Sequence, residues 1–127
     1  MRRSTPERGA AAVEFALVVP ILLTLMLGTM EFARAFFEQA ALASAAREAA
    51  RGFSITSDIP TAVAAGIRGG SGAALVDENF AFQPETGETT CPAGGDAIVI
   101  VSHEFEFVTG MFPPLPMSAK AMFACQG

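Results

Sequence analysis

Residues 10–30 have the sequence AAAVEFALVVPILLTLMLGTM, an apolar stretch whose only charged side chain is Glu14. At 1.5 Å per residue, a helix of this length spans about 31 Å, which is the thickness of the hydrocarbon core of a bilayer. Large apolar side chains occur on every side of such a helix, and a helix of this kind is buried in lipid or in other protein. A chain of 127 residues has too little protein to surround it. We therefore predict a membrane-spanning helix over residues 10–30.

The charges on either side of this stretch predict its orientation. Residues 1–9 carry three arginines and one glutamate, whereas residues 31–50 carry only two arginines. Because positive residues are retained on the cytoplasmic side, we expect a single-pass protein with a cytoplasmic N-terminus. Residues from about 31 onward are then extracytoplasmic.

The composition excludes several classes of function. The chain is 51 % hydrophobic and only 17 % charged, with a formal net charge of −5. This balance argues against a protein that binds nucleic-acid phosphates. A single histidine excludes a metal or catalytic site built on several histidines. We expect no enzyme activity, no cofactor, no metal and no small-molecule substrate.

The helix is predicted to continue beyond the membrane. Residues 31–51 contain no Gly or Pro and are rich in Ala, the best helix former, and Gly52 is a plausible stop. A helix over residues 10–51 would be about 63 Å long, too long for the remaining chain to bury. We expect it to pack against other copies or other proteins, or to stand exposed. The predicted organisation is therefore a basic leader, a transmembrane helix, a helix extension and an outer domain, at residues 1–9, 10–30, 31–52 and 53–127.

The outer domain is predicted to have an α+β fold. Residues 59–68 have the pattern of a short helix, with Asp58 as N-cap, Pro60 in the first turn and Gly69-Gly70 as the stop. Residues 69–74 are predicted to be a connector. The glycines in it are not followed by the Lys-Ser/Thr pair of a phosphate-binding loop.

Three segments are predicted to form an antiparallel sheet, because apolar and polar residues alternate along them; they are residues 79–83, 97–109 and 117–125. A loop is expected over residues 84–96. Residues 110–116 contain three prolines and are predicted to be a turn. We expect Phe107 opposite Ala119, which places Glu106 opposite Lys120 as a cross-strand charge pair.

Cys91 and Cys125 are the only cysteines. Outside the cytoplasm two cysteines in a small domain normally pair, so a disulfide is expected, although two independent buried thiols remain an alternative. In the expected register Cys125 lies opposite Val101. The loop at residues 92–96 must then fold back over the apolar face of the sheet to bring the sulfur atoms together. His103 is predicted to be a core or rim residue of its strand rather than a catalyst.

The junction between leader and helix is a candidate processing site. The basic leader ends at Gly9, and Glu14 is the fifth residue after it. If the chain is cut between Gly9 and Ala10, the new α-amino group lies about one helical turn from a Glu14 of the same chain or of a neighbour. The alternatives are a Glu14 that reaches lipid headgroups, and ordinary signal-peptide cleavage at the small residues 42–45.

The sequence resembles the TadE-like pilus assembly proteins of the bacterial tight-adherence (Flp, type IVb) pilus systems. Three segments carry the resemblance: RGAAAVEFALV at residues 8–18, EFAR at residues 31–34 and AAREAAR at residues 45–51. The resemblance implies that a prepilin peptidase cuts after Gly9, and that Glu14 and Phe15 serve processing or assembly.

The resemblance also implies a role within the system. Major pilins of these systems are much shorter and often carry Tyr where this chain has Phe15, which favours a minor pilin or pseudopilin. The expected partners are the prepilin peptidase, other pilin-like subunits and pilus assembly membrane proteins. The expected location is the bacterial inner membrane, with possible presence in the pilus. The alternative is a permanently anchored envelope protein whose outer domain is a binding module.

Overall fold

The computed structural model describes residues 7–84, 90–91, 93–110 and 112–126, except for the side chains of residues 7, 8 and 84. Its elements are, in chain order, α1 (Glu7–Thr56), α2 (Ile59–Gly69), a 3₁₀ turn (Asp77–Asn79), β1 (Phe80–Pro84), β2 (Asp96–Phe105) and β3 (Leu115–Ala124). A long N-terminal apolar helix followed by a small domain with a three-stranded antiparallel sheet confirms the predicted α+β fold. Residues 1–6 of the predicted leader, and residues 85–89 and 92 of the predicted loop at 84–96, lie outside the described residues.

The chain divides into two compact units, Met1–Arg34 and Ala35–Gly127. In the described part of the first unit, α1 contains an apolar stretch long enough to cross a bilayer, and none of that stretch is buried inside the protein. The second unit contains the rest of α1 together with α2 and the sheet. The second unit thus begins inside α1, and the part of this helix from Leu42 to Phe53 packs with the sheet.

The core of the second unit is formed where α1 crosses the sheet. The buried residues of α1 recur at helical spacing, and they pack against Val99 and Val101 of β2 and Ala121 of β3; they are Leu42, Ala45, Ala46, Ala49 and Ala50. A second cluster joins Phe53 to Ala97 and the two cysteines. The expectation that the helix packs against other proteins or stands exposed therefore does not hold for this part of α1. The sheet has an apolar face of its own, which covers these side chains.

Helix α1 also passes the predicted stop at Gly52 and ends at Thr56. A Cβ at Gly52 would lie 3.3 Å from the Cα of Ala62, so this glycine permits close approach of α2. The helix ends where Ser57 adopts a left-handed conformation with φ of 51°.

Helix α2 begins as predicted at the N-cap Asp58, whose carboxylate accepts hydrogen bonds from the hydroxyl and the backbone N–H of Thr61. These two hydrogen bonds, the hydroxyl foremost, hold the pKa of Asp58 below its usual range because they stabilise the ionised form. Helix α2 ends at Gly69 and is capped by Gly70, as its glycine pair predicted.

The sheet has the order β1-β2-β3 and both pairs are antiparallel. Ala119 lies opposite Val101, and Lys120 lies opposite Ile100. The expected pairs of Phe107 with Ala119 and of Glu106 with Lys120 were therefore wrong by six residues. Strand β2 ends at Phe105 and β3 begins at Leu115, so the connection is longer than the predicted turn. The shift is even, so every side chain keeps the face that its alternation predicted.

Gly66 is the point at which α2, α1 and β1 are closest. A Cβ at this position would lie 2.9 Å from the Cβ of Ala49 and in contact with the ring of Phe80. We expect Gly66→Ala to destabilise the second unit by about 1–3 kcal/mol, because overpacking outweighs the better helix propensity of Ala. Urea unfolding of the full chain in detergent micelles, followed by circular dichroism, measures the change.

Gly72→Ala is the matched control, because a Cβ there meets only the Cβ of Ala41 at an ordinary 3.4 Å. Its stability should stay within about 0.5 kcal/mol of the unsubstituted protein. Equal stabilities of the two variants would contradict close packing at Gly66.

Candidate functional site

The predicted processing residues all lie at the start of α1. Gly9, Ala10, Glu14 and Phe15 are helical and exposed. A Cβ at Gly9 would meet nothing within 4 Å, so no contact in the described protein requires a glycine there. A glycine inside a helix costs about 1 kcal/mol relative to alanine. Ala10 and Glu14 are four residues apart and therefore lie on the same side of the helix.

The apolar stretch that follows is exposed on all sides. Its large side chains with more than half of their surface exposed include Leu17, Ile21, Leu22, Leu23, Leu25, Met26 and Leu27. The helix continues through Pro20, and the hydroxyl of Thr24 donates to the Pro20 carbonyl at 2.8 Å. Nothing in the described part of this unit shields the surface, and a helix that is apolar on all sides is normally buried in lipid or in other protein.

At the end of the apolar stretch, Arg34 Nη1 lies 3.3 Å from Glu31 Oε2. The Glu31 side chain is only 12 % exposed. Residues at i and i+3 are neighbours on a helix surface, so this spacing brings the two opposite charges together as an ion pair. Because the opposite charges lie together, the desolvation free energy of placing this turn near a membrane surface is partly compensated.

Two contacts tie α1 to the sheet in the second unit. Glu38 Oε1 lies 3.0 Å from His103 Nε2 in a half-buried pair. This oxygen accepts no well-aligned hydrogen bond from the described residues, so the two side chains are close together without a hydrogen bond of good geometry. The side-chain amide of Gln39 donates to the carbonyl of Ser118 at 3.0 Å. Sequence reasoning placed His103 at the rim of the strand but missed Glu38 as its partner, because their contact depends on how the helix crosses the sheet.

His103 is the single histidine of the sequence. It borders an open depression on the protein surface, which is lined by Asn79, Ser102, His103, Glu104, Pro116, Met117 and Ser118. No group of three or more His, Cys, Asp or Glu side chains able to hold a metal ion occurs within the described ranges. The Asn79 side chain has a structural role. Its amide donates a hydrogen bond to the Ser102 carbonyl at 2.8 Å, next to the Phe80–Val101 pair at which the pairing of β1 with β2 begins.

Cys91 and Cys125 are joined by a disulfide, with their Cα atoms 5.6 Å apart. In the observed register Cys125 lies beside Gly95, and its N–H donates to the Gly95 carbonyl at 2.8 Å. Cys125 is therefore near the start of β2 and not opposite Val101 as expected. The chain reverses between Cys91 and β2 at Gly94, whose φ of 82° favours glycine. The loop does not need to cross the apolar face.

Comparison with known proteins identifies one family. Residues 9–51 match the model of the TadE-like protein family, which confirms the resemblance over this segment. The match points to involvement in tight-adherence pilus assembly, and proteins of this family are structural rather than enzymatic. Among the described residues one helix is long and apolar enough to cross a bilayer, which indicates a single-pass membrane protein. No curated protein and no solved structure shows significant similarity to the chain.

The disulfide is expected to stabilise the second unit through the loop that it closes. Cys91→Ser should lower the free energy of unfolding by about 3–4 kcal/mol, since the bond restricts a loop of about 35 residues in the unfolded chain. Urea unfolding without reductant measures the loss, and a thiol probe should label the released Cys125.

The controls separate loss of the bond from loss of a side chain. Cys125→Ser should cost about as much, and the double variant should cost no more than either single variant. If both thiols of the unreduced exported protein react fully with the probe, the bond does not form in the cell.

Proposed function

We propose that this protein is a minor pilin or pseudopilin-like structural subunit that assists assembly of a tight-adherence (Flp, type IVb) pilus. A prepilin peptidase cuts it between Gly9 and Ala10 on the cytoplasmic side of the inner membrane. The apolar part of α1 then holds the subunit in the membrane beside other pilin-like subunits and pilus assembly membrane proteins, and the second unit is extracytoplasmic. The observation that carries the proposal is the exposed apolar helix within the TadE-like match at residues 9–51.

The environment of Gly9 supports cleavage at this position. A backbone without a side chain is easily reached by a peptidase, and the described structure contains no packing reason for the glycine. The basic leader before it keeps this junction on the cytoplasmic side by the positive-inside rule.

The position of Glu14 supports a role in assembly. A carboxylate within an apolar membrane helix costs about 2.5–3.5 kcal/mol at the bilayer centre and less near the interface. After cleavage the α-amino group of Ala10 would supply a positive charge one turn away on the same side of the helix. A Glu14 of a neighbouring subunit could take the same position, which would align the two helices along their axes.

The packing of α1 argues against ordinary signal-peptide cleavage near residues 42–45. Leu42 and Ala45 have no exposed surface and belong to the core that α1 forms with the sheet. A cut after Ala45 would remove both side chains from that core. The small residues at this site therefore serve helix–sheet packing.

We expect Gly9→Leu to leave the leader attached, because the Leu side chain obstructs access to the scissile backbone. Gly28→Leu is the matched control, since a Cβ at Gly28 also meets nothing within 4 Å. Intact-mass spectrometry of protein from membrane and sheared-pilus fractions should give an N-terminus at Ala10 for the unsubstituted protein and for Gly28→Leu. A mature N-terminus near residue 46 contradicts the pilin assignment, and an uncut leader in the unsubstituted protein favours a permanently anchored envelope protein.

We expect Glu14→Ala to retain membrane insertion while the amount of pilus recovered by shearing falls at least several-fold. The variant removes the cost of the carboxylate in the membrane but also removes the partner of the α-amino group. Quantitative immunoblots of the membrane and sheared fractions measure both effects.

Glu14→Asp keeps the charge and should retain part of the assembly, whereas Glu48→Ala, which removes an exposed carboxylate of α1 in the second unit, should assemble normally. Normal piliation with Glu14→Ala would show that the charge has no role in assembly.

A further inference from the structure

The connection between β2 and β3 forms an apolar surface that the pilin assignment does not explain. We call residues 107–110 and 112–115 the hairpin tip. The sequence from Phe107 to Ala119 contains no charged residue. Within the hairpin tip, Val108 is 76 % exposed, Phe112 is 60 % exposed and Leu115 is 47 % exposed. Several large apolar side chains exposed on one short loop are typical of a surface that contacts a membrane or another protein.

Aromatic contacts hold the hairpin tip to the core. The ring of buried Phe105 lies 5.1 Å from that of Phe107, and the Phe107 ring lies 5.4 Å from that of Phe112. Both distances are within the usual range for paired aromatic rings. The exposed Phe112 is therefore supported by a chain of rings that begins inside the unit.

The contacts between α1 and the sheet determine at which end of the second unit the hairpin tip lies. Gln39 binds the carbonyl of Ser118, and the Ser54 carbonyl accepts from the N–H of Gln126 at 3.1 Å. Strand β3 therefore runs in the same direction as α1. From Ser118 back to Leu115, a strand extends about 10 Å further toward the start of the unit. The hairpin tip thus lies at the end where α1 enters the unit at Ala35.

That end is close in the chain to the candidate membrane span. Only four residues separate Met30 from Ala35, and Phe36 and Phe37 next to it are both largely exposed. Four helical residues correspond to about 6 Å of rise. The exposed aromatic residues of α1 and the hairpin tip therefore belong to the part of the second unit that immediately follows the span.

We propose that the hairpin tip inserts into the interfacial layer of the bilayer that α1 spans, as a second membrane contact of the protein. Apolar and aromatic side chains favour this layer, and the absence of charge from Phe107 to Ala119 removes the main cost of entering it. Glu106, which directly precedes the hairpin tip in the sequence, would lie at its water-facing limit. The contact would limit the tilt and rotation of the second unit over the membrane. The proposal needs residues 10–30 to span the bilayer, as in the proposed function, but it does not need cleavage at Gly9.

Single tryptophans test this insertion directly, because the protein contains no Trp and no Tyr. Phe112→Trp reports on the hairpin tip, and Val108→Trp is a second reporter in the same loop. Ile55→Trp is the matched control, since Ile55 is 56 % exposed beside Ser54, at the other end of the unit. Leu22→Trp reports on the span itself. Each full-length variant is reconstituted into vesicles of phosphatidylethanolamine and phosphatidylglycerol, with or without brominated acyl chains.

We expect emission from Phe112→Trp and Val108→Trp at shorter wavelength than from Ile55→Trp. We also expect quenching by brominated lipid that is several-fold greater and quenching by aqueous acrylamide that is several-fold weaker. Leu22→Trp should be quenched most strongly by brominated lipid. These differences should persist when the protein is diluted with excess lipid.

Three results would overturn the proposal. If both tip reporters are as accessible to acrylamide as Ile55→Trp while Leu22→Trp is quenched by lipid, the tip is in water although the span is inserted. If the protection of the tip disappears on dilution with lipid, a second copy of the chain covers it instead. If Leu22→Trp is not quenched, the membrane role assigned to α1 under the proposed function fails as well.

Discussion

The packing of the alanine-rich side of α1 against the apolar face of β2 is the contact on which the second unit depends. Ala45, Ala46 and Ala49 have small side chains that are fully buried, and they belong to the same core cluster as Val99 and Val101 of β2. Without this contact the three-stranded sheet would expose its apolar face to water, which is unfavourable in proportion to the apolar area exposed. The helix is therefore the second layer of the domain as well as its connection to the membrane.

Polar contacts then determine how the helix lies on the sheet. The pair of Glu38 with His103 and the hydrogen bond from Gln39 to Ser118 hold one end, and the hydrogen bond from Gln126 to Ser54 holds the other. The disulfide between Cys91 and Cys125 closes the unit at this second end. Because different residues hold the two ends, the end at which α1 enters the unit can carry the exposed hairpin tip without exposing the core.

This arrangement fits a subunit of a membrane-anchored assembly. The described first part of α1 has an apolar surface that its own unit does not cover, whereas the part beyond residue 40 has an apolar side that the sheet covers. One helix thus provides a surface for lipid or neighbouring helices and a surface for its own domain. The match to the TadE-like family at residues 9–51 extends over both parts. The matched sequence therefore reflects two packing requirements on a single helix.

Local sequence determined the elements of this protein, because each depends on nearby residues. The uninterrupted apolar stretch predicted the membrane helix, Asp58 and Gly70 predicted the limits of α2, and strict alternation predicted which side of β2 is buried. Only the tertiary structure decided the register of β2 with β3, because shifts by two residues preserve the same faces and alternation cannot distinguish them. It also decided that Gly52 and Gly66 allow close packing of α2, and that Glu38 meets His103. These features depend on distances between segments that are far apart in the chain, and no local pattern contains such distances.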